Sequence, residues 1–395
     1  MSKWIKVKLG ELPVAFIDGD RGKNYPKQQD FLTTGYCLFL NAENVTAEGF
    51  RFNSLKFISE EKDNSLRKGK VSRNDVILTT RGTVGNVAIY TNSIPFDNVR
   101  INSGMVILRC DDEKVSPLYL YCALRSKEFL LNVNGFKSGV AQPQLPIKDL
   151  KQIEIPLPPL PVQRRIADIL FAYDDLIENN RRRIAILEET ARLAYRKWFG
   201  GPEQGRTATL GEVCQSFGGG TPKTSVPEFW DGDIPWVVPT DITRNTCLAV
   251  LYTERKISEL GLQKSSAKML PANAILMTSR ASVGYFGIAD FPVCTNQGFI
   301  SIIPNDDAWR WYLLFNLMSR VEEIRSNAKG STFPEISRAR FRSMAVAIPD
   351  DNTLSEFNGA VEPLMQQVRV LARQNAALAA ARDMLLPRLM KGAVA

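Results

Sequence analysis

Residues suited to acid–base or metal chemistry are scarce in this 395-residue chain, which contains no histidine. Imidazole is the commonest general base at neutral pH and the commonest metal ligand, so His-dependent catalytic triads and His-containing zinc sites are excluded. The six cysteines are at least twelve positions apart, and no C-x-x-C pair of a zinc ribbon or redox centre occurs. We therefore expect free, buried thiols, no bound metal and no catalytic residue of these kinds.

Motifs of methyl-transfer and nucleotide-dependent enzymes are also missing. The sequence contains no N/D-P-P-Y/F motif and no G-x-x-x-x-G-K-S/T phosphate-binding loop. Phe217–Thr221 ends in Thr where F-x-G-x-G requires Gly. Glu60–Lys62 and Asp149–Lys151 resemble the acidic-x-Lys of metal nucleases, but both precede the single Pro-Asp of the chain. We interpret these matches as coincidental and predict that the chain is not an enzyme.

The remaining polar side chains suit the binding of an anionic partner. The net charge is +8, and residues 1–158 carry 22 basic and 17 acidic side chains. This modest excess favours an anionic partner. Sequence-specific binding requires Lys, Arg and backbone amides for phosphates, and forked donors and acceptors for base edges. Glycine-bounded loops of the chain carry both kinds of group.

Candidate DNA-contacting residues occur in similar loops of both halves of the chain. Those of the N-terminal half are Arg21, Lys23, Lys27, Arg81, Thr83, Asn86, Arg100, Asn102, Lys137, Ser138, Gln142 and Gln144. Those of the C-terminal half are Thr221, Lys223, Arg280, Ser282, Tyr285, Asn296, Gln297, Lys329, Ser331 and Thr332. Arg81 and Arg280 occupy matched places after strand-like runs and are the strongest candidates for reading guanine. The alternative is that each arginine ties its loop to a buried carboxylate.

These loops belong to a plan that occurs twice, at a spacing of roughly 190–200 residues. The matched pairs are Leu9–Glu11 with Leu210–Glu212, Asn44–Thr46 with Asp241–Thr243, Ile77–Gly85 with Ile275–Gly284, Asn102–Gly104 with Asn296–Gly298, Tyr119–Leu120 with Tyr312–Leu313, and Ile155–Pro156 with Ile348–Pro349. Each copy mixes short β-type runs with a helical stretch, Pro117–Leu131 or Ala308–Ala328. The order of the landmarks predicts two similar globular units of the α+β class.

A long helical pattern follows each copy. The first, Val162–Phe199, has no internal Gly or Pro and would be about 57 Å long at 1.5 Å per residue. Its seven-residue repeat is Ile166, Tyr173, Asn180, Leu187 and Ala194, and that of the second pattern, Leu354–Met390, is Phe357, Leu364, Leu371, Leu378 and Leu385. Such repeats predict that the two helices form a coiled coil. The alternative is that each helix packs only on its own unit.

Connectivity sets the direction of the helices. Helix one leaves the first unit for the second, so helix two, if it packs on helix one, must run back towards the first. We predict an antiparallel pair with a globular unit at each end and pseudo-two-fold symmetry. The predicted division is 1–158 for the first unit, 159–200 for helix one, 201–350 for the second unit and 351–395 for helix two. Asn180 lies in the seam, where a buried amide would pair with Asn375 or Gln374 and fix the register.

Together these features resemble the specificity (S) subunit of type I restriction-modification systems, the HsdS family. The strongest local similarity is the proline-rich entry to helix one, Ile155–Ala167, and the resemblance covers nearly all of the chain. Supporting segments are Leu9–Glu11, Arg81–Asn86, Leu145–Pro156, Phe217–Pro222, Asn296–Gly298 and Gly330–Pro334. The entry to helix two, Ile348–Asn352, departs from the family pattern because it lacks the Pro-Pro-Leu string.

The resemblance implies a non-catalytic protein that binds a bipartite DNA site, with one half-site for each target-recognition domain. It also implies two methyltransferase (M) subunits and restriction/translocase (R) subunits as partners, acting together in phage defence. S-adenosylmethionine, Mg²⁺ and ATP would be bound by those partners and not by this chain.

No run of about 18 apolar residues and no secretion signal occurs, so we expect a cytoplasmic location without membrane contact.

One alternative to a type I S subunit is the recognition subunit of a type IIB or other phage-defence assembly. The other is a coiled-coil protein-interaction scaffold that does not bind DNA.

Overall fold

The computed structural model describes residues 4–136, 143–201, 206–330 and 333–392. The chain forms two compact units. Unit 1 comprises Met1–Asp175 with Ala379–Ala395, and unit 2 comprises Leu176–Leu378. Within the described ranges, no helix combines the length and the apolar character that crossing a membrane requires.

Unit 1 is built on a four-stranded antiparallel sheet whose central strands are buried on both faces. Its strands are β1 Lys6–Lys8, β2 Val14–Asp18, β3 Cys37–Leu40, β4 Val45–Thr46, β5 Gly49–Phe50, β6 Phe57–Ile58, β7 Val76–Thr79, β8 Val87–Ile89, β9 Val99–Ile101, β10 Met105–Cys110 and β11 Glu154–Pro156. The large sheet has the order β2-β10-β7-β8, and smaller sheets have the orders β6-β3-β9, β1-β11 and β4-β5. Val76 and Leu78 contribute to one core and Ile77 to another, because successive side chains of a strand point to opposite faces.

The helices of unit 1 are short apart from the long helix that leaves it. They are α1 Glu60–Ser65, α2 Pro117–Leu124, α3 Lys127–Phe136, α4 Ile147–Leu150 and α5 Leu160–Phe199. The single helical stretch expected over Pro117–Leu131 is two helices. The chain breaks there because the hydroxyl of Ser126 accepts a hydrogen bond from the backbone N–H of Phe129 at 3.2 Å and so caps a new helix.

Unit 2 repeats this sheet with one additional strand. Its strands are β12 Thr207–Thr209, β13 Cys214–Gly218, β14 Trp230–Val237, β15 Ala249–Val250, β16 Arg255–Ile257, β17 Ile275–Thr278, β18 Phe286–Ala289, β19 Cys294–Thr295, β20 Phe299–Pro304 and β21 Ala345–Ala347. Its helices are α6 Leu210–Val213, α7 Pro239–Thr243, α8 Glu259–Gln263, α9 Arg310–Ser319, α10 Val321–Ser326, α11 Arg338–Arg342 and α12 Asp351–Met390. The sheets have the orders β13-β20-β17-β18-β15, β16-β14-β19 and β12-β21.

The two units share details as well as strand order. The hydroxyl of Tyr119 donates to the carbonyl of Pro156 at 2.5 Å, and that of Tyr312 donates to the carbonyl of Ala347 at 2.8 Å. Each bond joins the helix after the large sheet to the last strand of its unit. The predicted α+β class and the internal duplication are confirmed.

Each long helix contributes to both units. Ile184 on α5 lies in the main core of unit 2 with Phe357 and Val361 on α12. Ile166 on α5 lies in the main core of unit 1 with Leu389 on α12. The alternative in which each helix packs only on its own unit is therefore wrong.

Contacts along the two helices show that they run antiparallel. Phe357, near the start of α12, packs on Trp198 and Phe199 at the end of α5, with ring centroids 6.2 and 5.1 Å apart. Arg382, near the end of α12, forms an ion pair with Asp174 in the first half of α5. The start of α12 therefore packs against the end of α5, and the end of α12 against the first half of α5, as the connectivity predicts.

Asn180 is buried in the seam, with 7% of its surface exposed. The side-chain oxygen of Asn375 is also buried, but it has no hydrogen-bond partner. The amide pair expected between these residues is therefore not formed through that oxygen. A role of Asn180 and Asn375 in fixing the register stays a prediction.

Candidate nucleic-acid interface

An exposed arginine loop follows the central strand β7 of unit 1. The buried hydroxyl of Thr79 donates to the carbonyl of Thr83 and accepts a hydrogen bond from the backbone N–H of Asn86 at 3.0 Å. Gly82 has a φ of +72°, which residues with a side chain rarely adopt. These features turn the chain sharply and leave Arg81 exposed at the tip.

The same loop occurs after strand β17 of unit 2. The hydroxyl of Thr278 donates to the carbonyl of Ser282 and accepts from the backbone N–H of Tyr285 at 2.9 Å. Ala281 has a φ of +60° at the place of the glycine in unit 1, at a cost on the order of 1–2 kcal/mol. Arg280 is exposed here, so the loop geometry persists despite the unfavourable backbone conformation.

A second loop packs against each arginine loop. In unit 1 the side-chain oxygen of Asn102 accepts a hydrogen bond from the backbone N–H of Gly104 at 2.9 Å, and the carbonyl of Gly104 accepts from the backbone N–H of Arg81 at 3.2 Å. In unit 2 the oxygen of Asn296 accepts from the N–H of Gly298 at the same distance of 2.9 Å. Both Asn oxygens shape their own turns, which leaves the amide nitrogens as the groups available to a ligand.

A third segment completes the site in each unit. The backbone of Arg81 forms a β-bridge with Gln144, and that of Arg280 forms one with Glu335. In unit 1 the three segments line a surface cavity of about 410 Å³. The structure therefore brings together Arg81, Asn102 and Gln144, residues that are far apart in sequence.

Glu335 is a site residue that the sequence reasoning missed. Its carboxylate lies 3.7 Å from Nε of Arg280, and the two side chains are 46% and 48% exposed. An exposed pair of this kind contributes about 0–1 kcal/mol, so it does not anchor the loop as a buried carboxylate would. The signal that would have found it is the alignment of Gln144-Leu145 with Glu335-Ile336 at matched places of the two units.

Arg100 is not available to DNA, so its prediction as a DNA contact is wrong. Its guanidinium is buried and donates to the carboxylate of Asp63, to the carbonyl of Lys68 at 2.7 Å and to the carbonyl of Asp63 at 2.8 Å. The Asn86 amide is likewise engaged within the fold, donating to the carbonyl of Val45 at 3.0 Å. Both side chains hold the loop scaffold together.

The carboxylate of Asp63 is the centre of this buried cluster. Burial alone would raise the pKa of Asp63, but hydrogen bonds from Lys70, Arg100 and Cys37 outweigh that effect and hold the pKa below its usual value of 3.8. Because the folded-state pKa is lowered, Asp63 stabilises unit 1 above the unfolded-state pKa and loses that contribution as the pH falls through the folded-state value.

The basic loop near the start of unit 1 is exposed. Arg21 forms an ion pair with Asp18 at 3.1 Å, and Lys23 and Lys27 are exposed to solvent. Asp20, which the sequence reasoning did not single out, accepts hydrogen bonds from backbone N–H groups at 2.6 and 2.7 Å. These bonds fix the conformation in which the loop presents its charges.

The remaining candidates of unit 2 are at or near the surface. The hydroxyl of Thr221 donates to the side-chain oxygen of Gln297. Lys223 is exposed, and its carbonyl accepts a hydrogen bond from the indole N–H of Trp230 at 3.2 Å. Lys329 is exposed and pairs through its backbone with Glu335. Five candidates lie outside the described residues: Lys137, Ser138, Gln142, Ser331 and Thr332.

Groups suited to catalysis are sparse in the described part of the chain. No cluster of three or more His, Cys, Asp or Glu side chains there could hold a metal ion. The six cysteines are free thiols, and burial raises the pKa of Cys122 to about 12 and that of Cys247 to about 11. Such thiols remain protonated at neutral pH and are poor nucleophiles.

Two units of one fold, each with an exposed arginine loop, define a protein with two copies of one candidate site. The family model described as "Type I restriction modification DNA specificity domain" matches residues 1–189 and residues 202–368. The chain therefore belongs to the type I restriction-modification specificity family.

Several relatives of this chain are named as type I restriction enzyme specificity subunits. The type I restriction enzyme MjaIX specificity subunit of Methanocaldococcus jannaschii is 35% identical over 173 residues, which span 42% of this chain and 39% of the relative. The HindI specificity subunit of Haemophilus influenzae is 21% identical, and the match covers 100% of both chains. The EcoR124I/EcoR124II specificity subunit of Escherichia coli is 28% identical over 66% of both chains.

A solved structure shares the fold. The type I restriction-modification S subunit from M. genitalium matches with a TM-score of 0.58 and 18% identity, over 98% of this chain and 96% of that chain. At this identity the likeness shows the fold and not the function.

Substitution of the buried arginine should destabilise the fold far more than substitution of the exposed one. We expect Arg100→Met to lower the free energy of unfolding by about 3–5 kcal/mol, because it removes the buried cation beside the Asp63 carboxylate and leaves the half-exposed Lys70 to compensate that charge. Arg81→Met, at an exposed position, should change it by less than about 0.5 kcal/mol. Urea unfolding of the full chain measures both values, and equal losses in the two variants would contradict the structural role given to Arg100.

Proposed function

We propose that this chain is the DNA-recognition subunit of a type I restriction-modification complex and has no catalytic activity of its own. Each unit would read one half of a bipartite double-stranded site. The observation that carries the proposal is the repeated loop in which Thr79 or Thr278 presents Arg81 or Arg280 to solvent.

The chemistry of the site favours DNA over other anions. An exposed guanidinium suits the O6 and N7 acceptors of guanine, and the neighbouring amide of Gln144 suits the N6 and N7 groups of adenine. Arg21, Lys23 and Lys27 supply positive charge for phosphates on a separate loop of unit 1. The combination of base-reading forks with phosphate-binding charge is typical of sequence-specific binding.

The long helices would set the distance between half-sites and would bind the partner subunits. The outward face of α5 carries Ile186 and Leu193, which are 66% and 53% exposed, beside the exposed Arg182. An apolar stripe bordered by charge suits the docking of a second protein. We assign this docking role to two methyltransferase subunits, which R subunits would join. Those partners would bind S-adenosylmethionine, Mg²⁺ and ATP, and the complex would act in the cytoplasm.

Mapping of methylated adenines in the host genome tests this function. A split sequence motif should be methylated in cells that carry the gene and should be unmethylated after its deletion. If deletion of the gene leaves every methylated motif in place, the proposal is contradicted. The scaffold alternative predicts that the purified chain binds duplex DNA weakly and with little dependence on salt, whereas phosphate contacts make binding fall steeply as salt rises.

Substitution of either arginine should affect only one half-site. We expect Arg81→Ala to weaken recognition of one half-site by about 1–3 kcal/mol, and Arg280→Ala to weaken recognition of the other by a similar amount. Binding titrations with duplexes mutated in one half-site measure these effects. Equal loss at both half-sites in either variant would contradict the assignment of one unit to each.

Removal of one heptad from each helix should shorten the recognised spacer. The segments Glu178–Ile184 and Leu371–Ala377 are the suitable pair, since the Trp198–Phe357 contact sets them opposite each other. Seven residues correspond to about 10.5 Å, or about 3 bp of DNA. Selection of binding sites from duplexes with spacers of varied length measures the change, and an unchanged spacer would refute the role of the helices as a ruler.

A further inference from the structure

The arginine loops of the two units differ in one neighbouring side chain. The residue that forms the β-bridge is the neutral Gln144 beside Arg81 in unit 1 and the anionic Glu335 beside Arg280 in unit 2. The two units therefore present different groups at the same place. In unit 2 an exposed donor fork lies next to an exposed carboxylate, whose Oε2 is 3.7 Å from Nε of the arginine.

Several observations separate this pair from the structural ion pairs of the chain. The side chains of Arg100 and Asp63 are 8% and 4% exposed, and in the pair of Arg109 with Asp75 the carboxylate is 1% exposed although the arginine is 40% exposed. Arg280 and Glu335 are both close to half exposed. Within the described residues, neither side chain has another hydrogen-bond or ion-pair partner, so a ligand can reach both groups at little cost.

The backbone holds Glu335 in place without help from its side chain. The N–H and carbonyl of Glu335 bond to Lys329 at 3.0 and 2.9 Å, and the N–H of Ile336 donates to the carbonyl of Ser279 at 3.0 Å. The carboxylate is thus presented from a fixed strand-like segment and not from a free loop. The backbones of Glu335 and Arg280 are joined by a β-bridge, so the carboxylate and the guanidinium emerge side by side.

The major-groove edge of a G·C pair complements this pair of side chains. Guanine presents the acceptors O6 and N7, and cytosine presents the donor N4 amino group beside them. A guanidinium can bind the guanine acceptors while an adjacent carboxylate accepts from the cytosine amino group. On an A·T pair the guanidinium would face either an amino group or a methyl group, so that edge fits poorly.

We propose that Arg280 and Glu335 together read one G·C base pair in the half-site bound by unit 2, with Glu335 accepting a hydrogen bond from N4 of the cytosine. This inference rests on the proposed function. Gln144 carries a donor and an acceptor in place of the carboxylate, so unit 1 does not share this requirement. Two units with the same loop geometry thereby recognise different sequences.

The test begins with selection of duplexes from a randomised pool by the purified full-length chain. Comparison of the wild-type selection with that of Arg280→Ala identifies the base pair whose guanine depends on this arginine. The cytosine opposite that guanine is then replaced by 2-pyrimidinone, which lacks the N4 amino group and leaves guanine O6 and N7 in place. Affinities for the two duplexes are measured with wild type, Glu335→Ala and Gln144→Ala.

Removal of the amino group should weaken wild-type binding by on the order of tenfold, the effect of one hydrogen bond to a charged acceptor. Glu335→Ala should bind the unmodified duplex more weakly and should lose less than about twofold further on removal of the amino group. Gln144→Ala, the matched control in the other unit, should show the wild-type tenfold loss. Thermal unfolding confirms that each variant is folded.

Two other outcomes would overturn the inference, and they are distinguishable. An equal loss in wild type and Glu335→Ala would mean that Glu335 does not contact the amino group and, at most, positions Arg280. This result would leave the DNA-recognition proposal intact. A wild-type chain that enriches no sequence from the pool would refute that proposal and, with it, the reading of the base pair.

Discussion

The recognition loops depend on one buried hydroxyl in each unit. Strands β7 and β17 are covered on both faces, so every polar group at their ends must find a partner inside the protein. Thr79 and Thr278, both 0% exposed, supply that partner by bonding to the loop that follows. The strand can then end within the core while the next residues turn directly into solvent, and this places an arginine at the tip.

Charge has two uses in this chain, and burial distinguishes them. The cluster of Asp63, Lys70 and Arg100 is satisfied within the protein and holds the segment before the large sheet in place. Arg81 and Arg280 keep their guanidinium groups at the surface. Breaking a buried pair costs several kcal/mol, whereas an exposed pair contributes little and is readily exchanged for a ligand. The first kind of arginine therefore maintains the fold, and the second remains free to bind.

The two units carry sites of one geometry that differ in their side chains. Ala281 adopts in unit 2 the backbone conformation that Gly82 adopts in unit 1, so the loop geometry does not require glycine. Gln144 and Glu335 occupy the same bridge position but offer different hydrogen-bonding groups. A shared scaffold with exchangeable side chains is a simple route to a bipartite site whose halves differ.

The sequence by itself determined the features that arise from local pattern: the duplicated order of motifs, the two heptad-repeat helices and the arginine loops after buried strands. Only the tertiary structure decided the features that depend on distant partners. Arg100 was indistinguishable from a surface arginine until Asp63, 37 residues away, was seen to bind it. Glu335 matches the place of Gln144 in unit 1, but only the fold showed that its carboxylate lies beside Arg280. Long-range pairing depends on where the chain returns in space, and residue spacing does not encode that return.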